Sequence, residues 1–208
     1  MRILVLGSGA REHAIIRSLL SEEERHEIVA APGNAGIAAD VPVTDLDIVD
    51  PETIANYAIA ADIELVVIGP EAPLVAGVAD ALRTRGIPVF GPGRAAAALE
   101  GSKSFAKRIM AAAGVPTGGA TTAATLAEVE TAMDEYGPPY VVKADGLAGG
   151  KGVLVTGDRA AALAHAEHWL EAGSVLIEEF LDGPEVSLFF VSDGHRVLPL
   201  TPAQDYKR

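Results

Sequence analysis

Cysteine is absent from this 208-residue sequence. That absence excludes a disulfide framework, a thiolate metal site and a cysteine nucleophile. Basic residues are scarce: Lys and Arg number 16 against 29 Asp and Glu, a formal net charge of -13. So acidic a surface repels polyphosphate backbones, and no nucleic acid is expected as a partner. Free nucleotides are not excluded, because a local loop of amides and lysines can override the global field. Long hydrophobic runs are missing as well. The opening Met-Arg-Ile-Leu-Val-Leu-Gly has one basic residue and a short apolar stretch. It reads as neither a signal peptide nor a membrane span. The expected compartment is the cytoplasm, with no membrane partner.

What is present is an ordinary globular composition, 49% hydrophobic and 22% charged. The length fits one or two domains with a packed core. Ile3-Leu4-Val5-Leu6 and Leu65-Val66-Val67-Ile68 are apolar at every position, and each ends in glycine. Runs of this kind predict strands buried on both faces of a parallel sheet. Weaker strands are expected at 28–31 and 88–90, with helices at 12–20, 51–61 and 74–85 between them. Strands alternating with helices predict a doubly wound α/β domain. After Gly91-Pro92-Gly93 the pattern changes. A helix at 103–113 is followed by helices at 126–136 and 159–171 and strands at 140–143, 153–156 and 175–179. A final hairpin, 186–191 with 196–200, turns around Ser192-Asp193-Gly194-His195. This second unit reads as α+β.

The chemistry sits on loops. Gly7-Ser8-Gly9-Ala10-Arg11-Glu12 follows the first strand and opens a helix. Glycines let backbone approach an anion, and a helix N-terminus offers free amides. The dinucleotide pattern wants a small residue where Glu12 stands, and an acidic residue where the second strand ends Ala30-Ala31-Pro32. Both mismatches argue against NAD. The loops 31–36 and 69–74 follow other strands and therefore share the carboxyl edge of the sheet, where open α/β sheets bind ligands. In isolation either is turn chemistry; together they predict a pocket, with Glu71 held between two prolines. Asp145-Gly146-Leu147-Ala148-Gly149-Gly150-Lys151-Gly152 lies between two strands. It is not a P-loop, because Gly152 rather than Ser or Thr follows the lysine and a strand rather than a helix comes next. It reads as a mobile flap over a nucleotide. Lys143 ends an apolar strand, and Lys103 starts a helix. A cation there opposes the helix dipole, which a nearby anionic ligand would rationalise. Ile177 to Leu181 leaves a strand; it could meet an adenine edge or be a plain acidic strand end, and composition does not choose. His165 and His168, three apart on a helix, lack a third ligand and read as a solvated face, and Trp169 beside them as core.

In order, GSGAREHA at 7–14, APGNAG at 31–36, GPEAPLV at 69–75, FGP at 90–92, LEGSKSFAK at 99–107, GVPT at 114–117, VVKADGLAGGKGV at 141–153, EEFLDGPEVS at 178–187 and QDYKR at 204–208 run through the whole chain in one register. This set resembles the phosphoribosylamine–glycine ligases, or glycinamide ribonucleotide synthetases, of the ATP-grasp superfamily. No single motif decides the resemblance; the ordered set is specific. It implies a pre-ATP-grasp, Rossmann-like substrate domain at 1–102, a helix and linker of the ATP-grasp core at 103–118, a lid subdomain at 119–190 and the start of the remaining core at 191–208. It implies a monomer acting on ATP, glycine and 5-phosphoribosylamine through a glycyl phosphate. It implies Lys103 and Lys143 on the nucleotide phosphates, both as catalytic candidates, and Gly146, Gly149, Gly150, Lys151 and Gly152 as the flap above. Glu178, Glu179, Phe180 and Leu181 would form the adenine edge, and Glu185 the ribose ligand. The substrate candidates are Gly9, Arg11, Glu12, Asn34, Gly36, Pro70, Glu71, Asp205, Lys207 and Arg208. Another ATP-grasp carboxylate–amine ligase and a non-catalytic nucleotide-binding module are the rival readings.

Two departures from the family matter. Ala172-Gly173-Ser174 is a short link where many members carry a longer loop containing Phe-Gly, which bears on lid closure. The family also continues past this last segment to a glutamate and an asparagine that hold magnesium, so the Mg²⁺ or Mn²⁺ ligands are expected beyond residue 208. Metal ions supply much of the charge stabilisation in phosphoryl transfer. These 208 residues alone are therefore expected to give no sustained phosphate release with all three substrates, which a phosphate assay checks.

Overall fold

A computed structural model describes residues 1–206. In chain order the elements of the first half are β1 (Arg2–Gly7), α1 (Ala10–Leu20), β2 (Glu27–Pro32), α2 (Ala35–Asp40), α3 (Pro51–Ala60), β3 (Leu65–Ile68), α4 (Glu71–Ala76), α5 (Val78–Thr84), β4 (Val89–Phe90) and α6 (Arg94–Gly101). The second half holds α7 (Lys103–Ala113), β5 (Ala120–Ala123), α8 (Leu126–Tyr136), β6 (Tyr140–Ala144), β7 (Val153–Thr156), α9 (Arg159–Leu170), β8 (Val175–Glu178), β9 (Glu185–Ser187), β10 (Phe190–Ser192), β11 (Val197–Pro199) and β12 (Ala203–Asp205).

The first sheet is parallel throughout, in the order β2-β1-β3-β4. Its central strand β1 is buried from Ile3 to Leu6. Successive side chains of a strand point to opposite faces. Leu4 and Leu6 accordingly join Ile54, Ala55 and Leu82, from α3 and α5, in one core. Ile3 and Val5 join Ile16 and Ile37, from α1 and α2, in another. Helices on both faces explain why these strands are apolar at every position. Parallel strands also bring the loops after β1, β2 and β3 to one rim.

The second sheet is antiparallel, in the order β5-β8-β6-β7. Its back packs on α8 and α9 through Val142, Val175, Ile177, Val129, Met133, Ala162 and Ala166, with Trp169 against this core. Alternation then turns Val141 and Lys143 of β6, and Leu176 and Glu178 of β8, to the front. Beyond it β9 pairs with β12, and β10 with β11.

Several elements differ from the expectation. The helix expected at 74–85 is two, because Gly77 takes φ 96° and ends α4 before α5 begins. Only glycine adopts that conformation at little cost. The strand expected at 186–191 is likewise two, β9 and β10, with different partners. The short elements α2 and β5 have too few residues to show a period.

The glycines of the first rim face a carboxylate that the chain itself supplies. Glu12 is 4% exposed, and its Oε2 accepts the Gly9 N–H at 2.6 Å. A Cβ on Gly7 would lie 2.6 Å from Glu12 Cγ, and one on Gly69 would overlap the carboxyl group. Gly69→Ala should therefore displace Glu12 from the Gly9 amide and cost about 1–3 kcal/mol. Adding Glu12→Ala should make Gly69→Ala nearly neutral. Urea unfolding of the two singles and the double measures this.

Candidate functional site

Glu71 stands on the walls of two clefts formed by the described residues. The smaller, about 400 Å³, lies over the rim of the parallel sheet between Gly7–Glu12 and Pro70–Pro73. Arg11 donates to the Gly69 carbonyl at 2.6 Å and pairs with Glu71 at 3.3 Å. Gly9, Arg11, Glu12, Pro70 and Glu71 thus come together. Asn34 and Gly36 are not on that wall. Asn34 caps α2, accepting the Ile37 N–H at 2.9 Å and donating to the Ser8 carbonyl at 2.7 Å. Gly36 lies against His13, whose Cε1 would be 3.1 Å from an added Cβ.

The larger cleft, about 740 Å³, lies between α7 and the front of the antiparallel sheet. Lys103 begins α7 and Lys143 ends β6; both line it, as do Gly146, Gly149, Gly150 and Gly152. The loop turns through positive φ at Gly146, Gly149 and Gly150, where a side chain would be strained. Lys151 is exposed and not on the wall. Glu178, Glu179 and Leu181 line the cleft. Phe180 is exposed, and Glu185 lies in β9 opposite Asp205 of β12; neither side chain nor Asp205 is on the wall. Lys207 and Arg208 lie outside the described residues.

The lysines are engaged by the protein itself. Lys103 Nζ donates to the Ala144 and Gly146 carbonyls, each at 2.9 Å. Lys143 Nζ lies 2.6 Å from Glu178 Oε2. The start of α7 also carries an anionic side chain of the protein itself. Asp145 accepts the Ser104 N–H at 3.2 Å and the Ser104 hydroxyl at 2.5 Å, and the Ser102 hydroxyl at 3.2 Å. Burial pushes the Asp145 carboxyl upward, but the hydrogen bonds from Ser104, the Lys103 backbone and Ser102 together outweigh it and leave the pKa lowered. Sequence reading placed Asp145 at the head of the glycine-rich loop but gave it no role, because its partners lie 41 and 43 residues away. It missed Lys107, which lines the same cleft. The available signal was its spacing, four after Lys103 and so on the same helix face. Among the described residues no group of three His, Asp or Glu side chains could hold a metal ion.

Two family models cover the chain from end to end. Residues 1–100 match the phosphoribosylglycinamide synthetase N domain, and residues 101–208 match the ATP-grasp (A) domain of the same synthetase. The chain belongs to the phosphoribosylglycinamide synthetase family. It is 74% identical over 209 residues to a phosphoribosylamine–glycine ligase of Leifsonia xyli, covering all of this chain and 50% of that protein. It is 56% identical to one from Streptomyces coelicolor, covering 49% of it. The crystal structure of the phosphoribosylamine–glycine ligase of Thermotoga maritima superposes with a TM-score of 0.80 at 34% identity, over the whole chain and 51% of its own. The chain thus spans about half the length of these synthetases. The fold is accordingly a doubly wound α/β domain followed by part of an ATP-grasp domain. No helix among the described residues is long and apolar enough to cross a membrane.

The lowered Asp145 pKa has a sign. A carboxyl depressed on folding stabilises the fold above its unfolded value, and that stability is lost as pH falls through the folded value. Near pH 7 the wild-type chain should be more stable than Asp145→Asn, and the gap should close as pH drops below 3.8. Thermal unfolding of both, from about pH 7 to about pH 3, reads the difference.

Proposed function

We propose that this chain supplies the nucleotide cleft and the acceptor-substrate rim of a phosphoribosylamine–glycine ligase. One observation carries the reading. Lys103, Lys143 and the glycine-rich turn after β6 converge on a single cleft in a chain of this family. Its volume, about 740 Å³, is in the range of small-molecule sites. Ammonium groups and glycine amides are the chemistry that phosphate oxygens require.

In this reading ATP is a substrate whose phosphates meet Lys103 and Lys143 beneath the loop 146–152. The adenine takes the strand exit from Glu178 to Leu181, with Glu185 and Lys151 moving in from outside the present wall. The carboxylate of glycine attacks the terminal phosphorus; an O–P bond forms, the bond to the leaving ADP breaks, and glycyl phosphate results. A free carboxylate is too poor an electrophile to form an amide at neutral pH, and the phosphoryl group supplies a leaving group. The amine of 5-phosphoribosylamine then attacks the acyl carbon. The C–N bond forms, the C–O bond to phosphate breaks, and the nitrogen loses a proton to give glycinamide ribonucleotide. Gly9, Arg11, Pro70 and Glu71 would hold the phosphoribosylamine side. The presence of Glu71 on both walls supports a meeting of the two reactants there.

Calorimetric titration of ATP into the chain tests the nucleotide site. Saturable binding is expected, weakened roughly 10–100-fold by Lys103→Ala or Lys143→Ala, the worth of a charged hydrogen bond. Unchanged affinity in both variants would overturn the assignment.

A further inference from the structure

Glu178 is a buried carboxylate held between two lysines, and only one of them touches it. The residue is 8% exposed. Its Oε2 lies 2.6 Å from Lys143 Nζ, while its Oε1 lies 3.8 Å from Lys107 Nζ. Lys107 donates to Thr117 Oγ1 and to the Gly118 carbonyl, each at 2.9 Å. An ammonium group has three N–H donors, so one remains for Glu178. The neighbouring carboxylate of Glu179 is turned to the Gly119 N–H at 3.0 Å.

The proposed function asks Lys143 to serve phosphate oxygens. A lysine paired at 2.6 Å with a carboxylate offers a phosphate little net charge, and a buried carboxylate deserted by its partner is strongly destabilising. Lys107 resolves both difficulties. Closing its gap to the distance of an N⁺–H···O⁻ bond takes a movement of about 1 Å.

We propose that Lys107 is a positioning residue that takes over the Glu178 carboxylate when a nucleotide phosphate draws Lys143 away. It touches no phosphate itself; it lets Lys143 do so. The proposal rests on the nucleotide reading above, yet it makes a claim about the empty-handed protein as well. Replacing Lys143 by Met imitates its departure from Glu178, and Lys107 should then carry the carboxylate alone.

The experiment is a pair of mutant cycles on the 208-residue chain. Without nucleotide, Lys107→Met and Lys143→Met should each lower the melting temperature modestly, and the double variant should lose more than the sum. Glu178→Gln, which removes the charge needing a partner, should abolish that excess. Additive losses would overturn the proposal. With nucleotide, Lys107→Met should weaken ATP binding about tenfold, and Lys107→Arg, which keeps the charge, should restore it. In the Glu178→Gln background Lys107→Met should change ATP affinity little. A loss that persists there would make Lys107 a direct phosphate ligand and sink the positioning role. If the wild-type chain binds no ATP, the functional reading fails by itself, and the nucleotide-free cycle still decides whether Lys107 and Glu178 are coupled as claimed.

Discussion

The clasp between the start of α7 and the end of β6 holds the larger cleft in shape. It is reciprocal: Lys103 reaches across to the Ala144 and Gly146 carbonyls, and Asp145, between them in sequence, reaches back to Ser102 and Ser104. A cation on the first turn of a helix is unfavourable and an anion there is favourable. The two contacts cross so that each charge sits where it is stabilised. The lysine is carried away to carbonyl oxygens, and the aspartate covers the helix amides. Because the glycine-rich loop begins at this point, its root is anchored to α7 while positive-φ glycines shape its tip.

Charge in the cleft is handled by sharing. The chain carries a net charge of -13, yet Lys103, Lys107 and Lys143 line the cleft, with Glu71, Glu100, Glu178 and Glu179 among them. Buried charge needs a partner at every moment. Glu178 fills that need for Lys143. In the proposed reading, an arriving phosphate would exchange one anion for another, and the displaced carboxylate would have Lys107 3.8 Å away.

The parallel-sheet rim follows the same physics with the opposite outcome. Its glycines permit close approach of an anion, and the anion packed among them is Glu12. The small side chain of the dinucleotide pattern would not reach the Gly9 amide. Arg11, next to Glu12, instead lies across the mouth toward Gly69 and Glu71. The same loop thus seals its interior with one side chain and presents another to the cleft.

Local chemistry was enough to read β1 and β3, whose apolar runs announce burial on two faces, and the helix at 103–113 with its glycine stop. It was enough for the glycine-rich loop, because positive φ is a demand that sequence records directly. The ordered motifs carried the family, since each is tied to a turn or strand exit that the fold repeats. Tertiary structure decided the rest. Asp145 in sequence is one acid before a glycine; its role exists only because α7 lies 41 residues back along the chain. Lys107 has no distinguishing mark in the sequence beyond its spacing from Lys103; β8 places Glu178 near it. The helix break at Gly77 and the separate pairings of β9 and β10 were also settled by packing partners. Periodicity and turn chemistry act over a few residues and can be written locally. The partner of a buried charge is chosen by which distant segments the folded chain brings together.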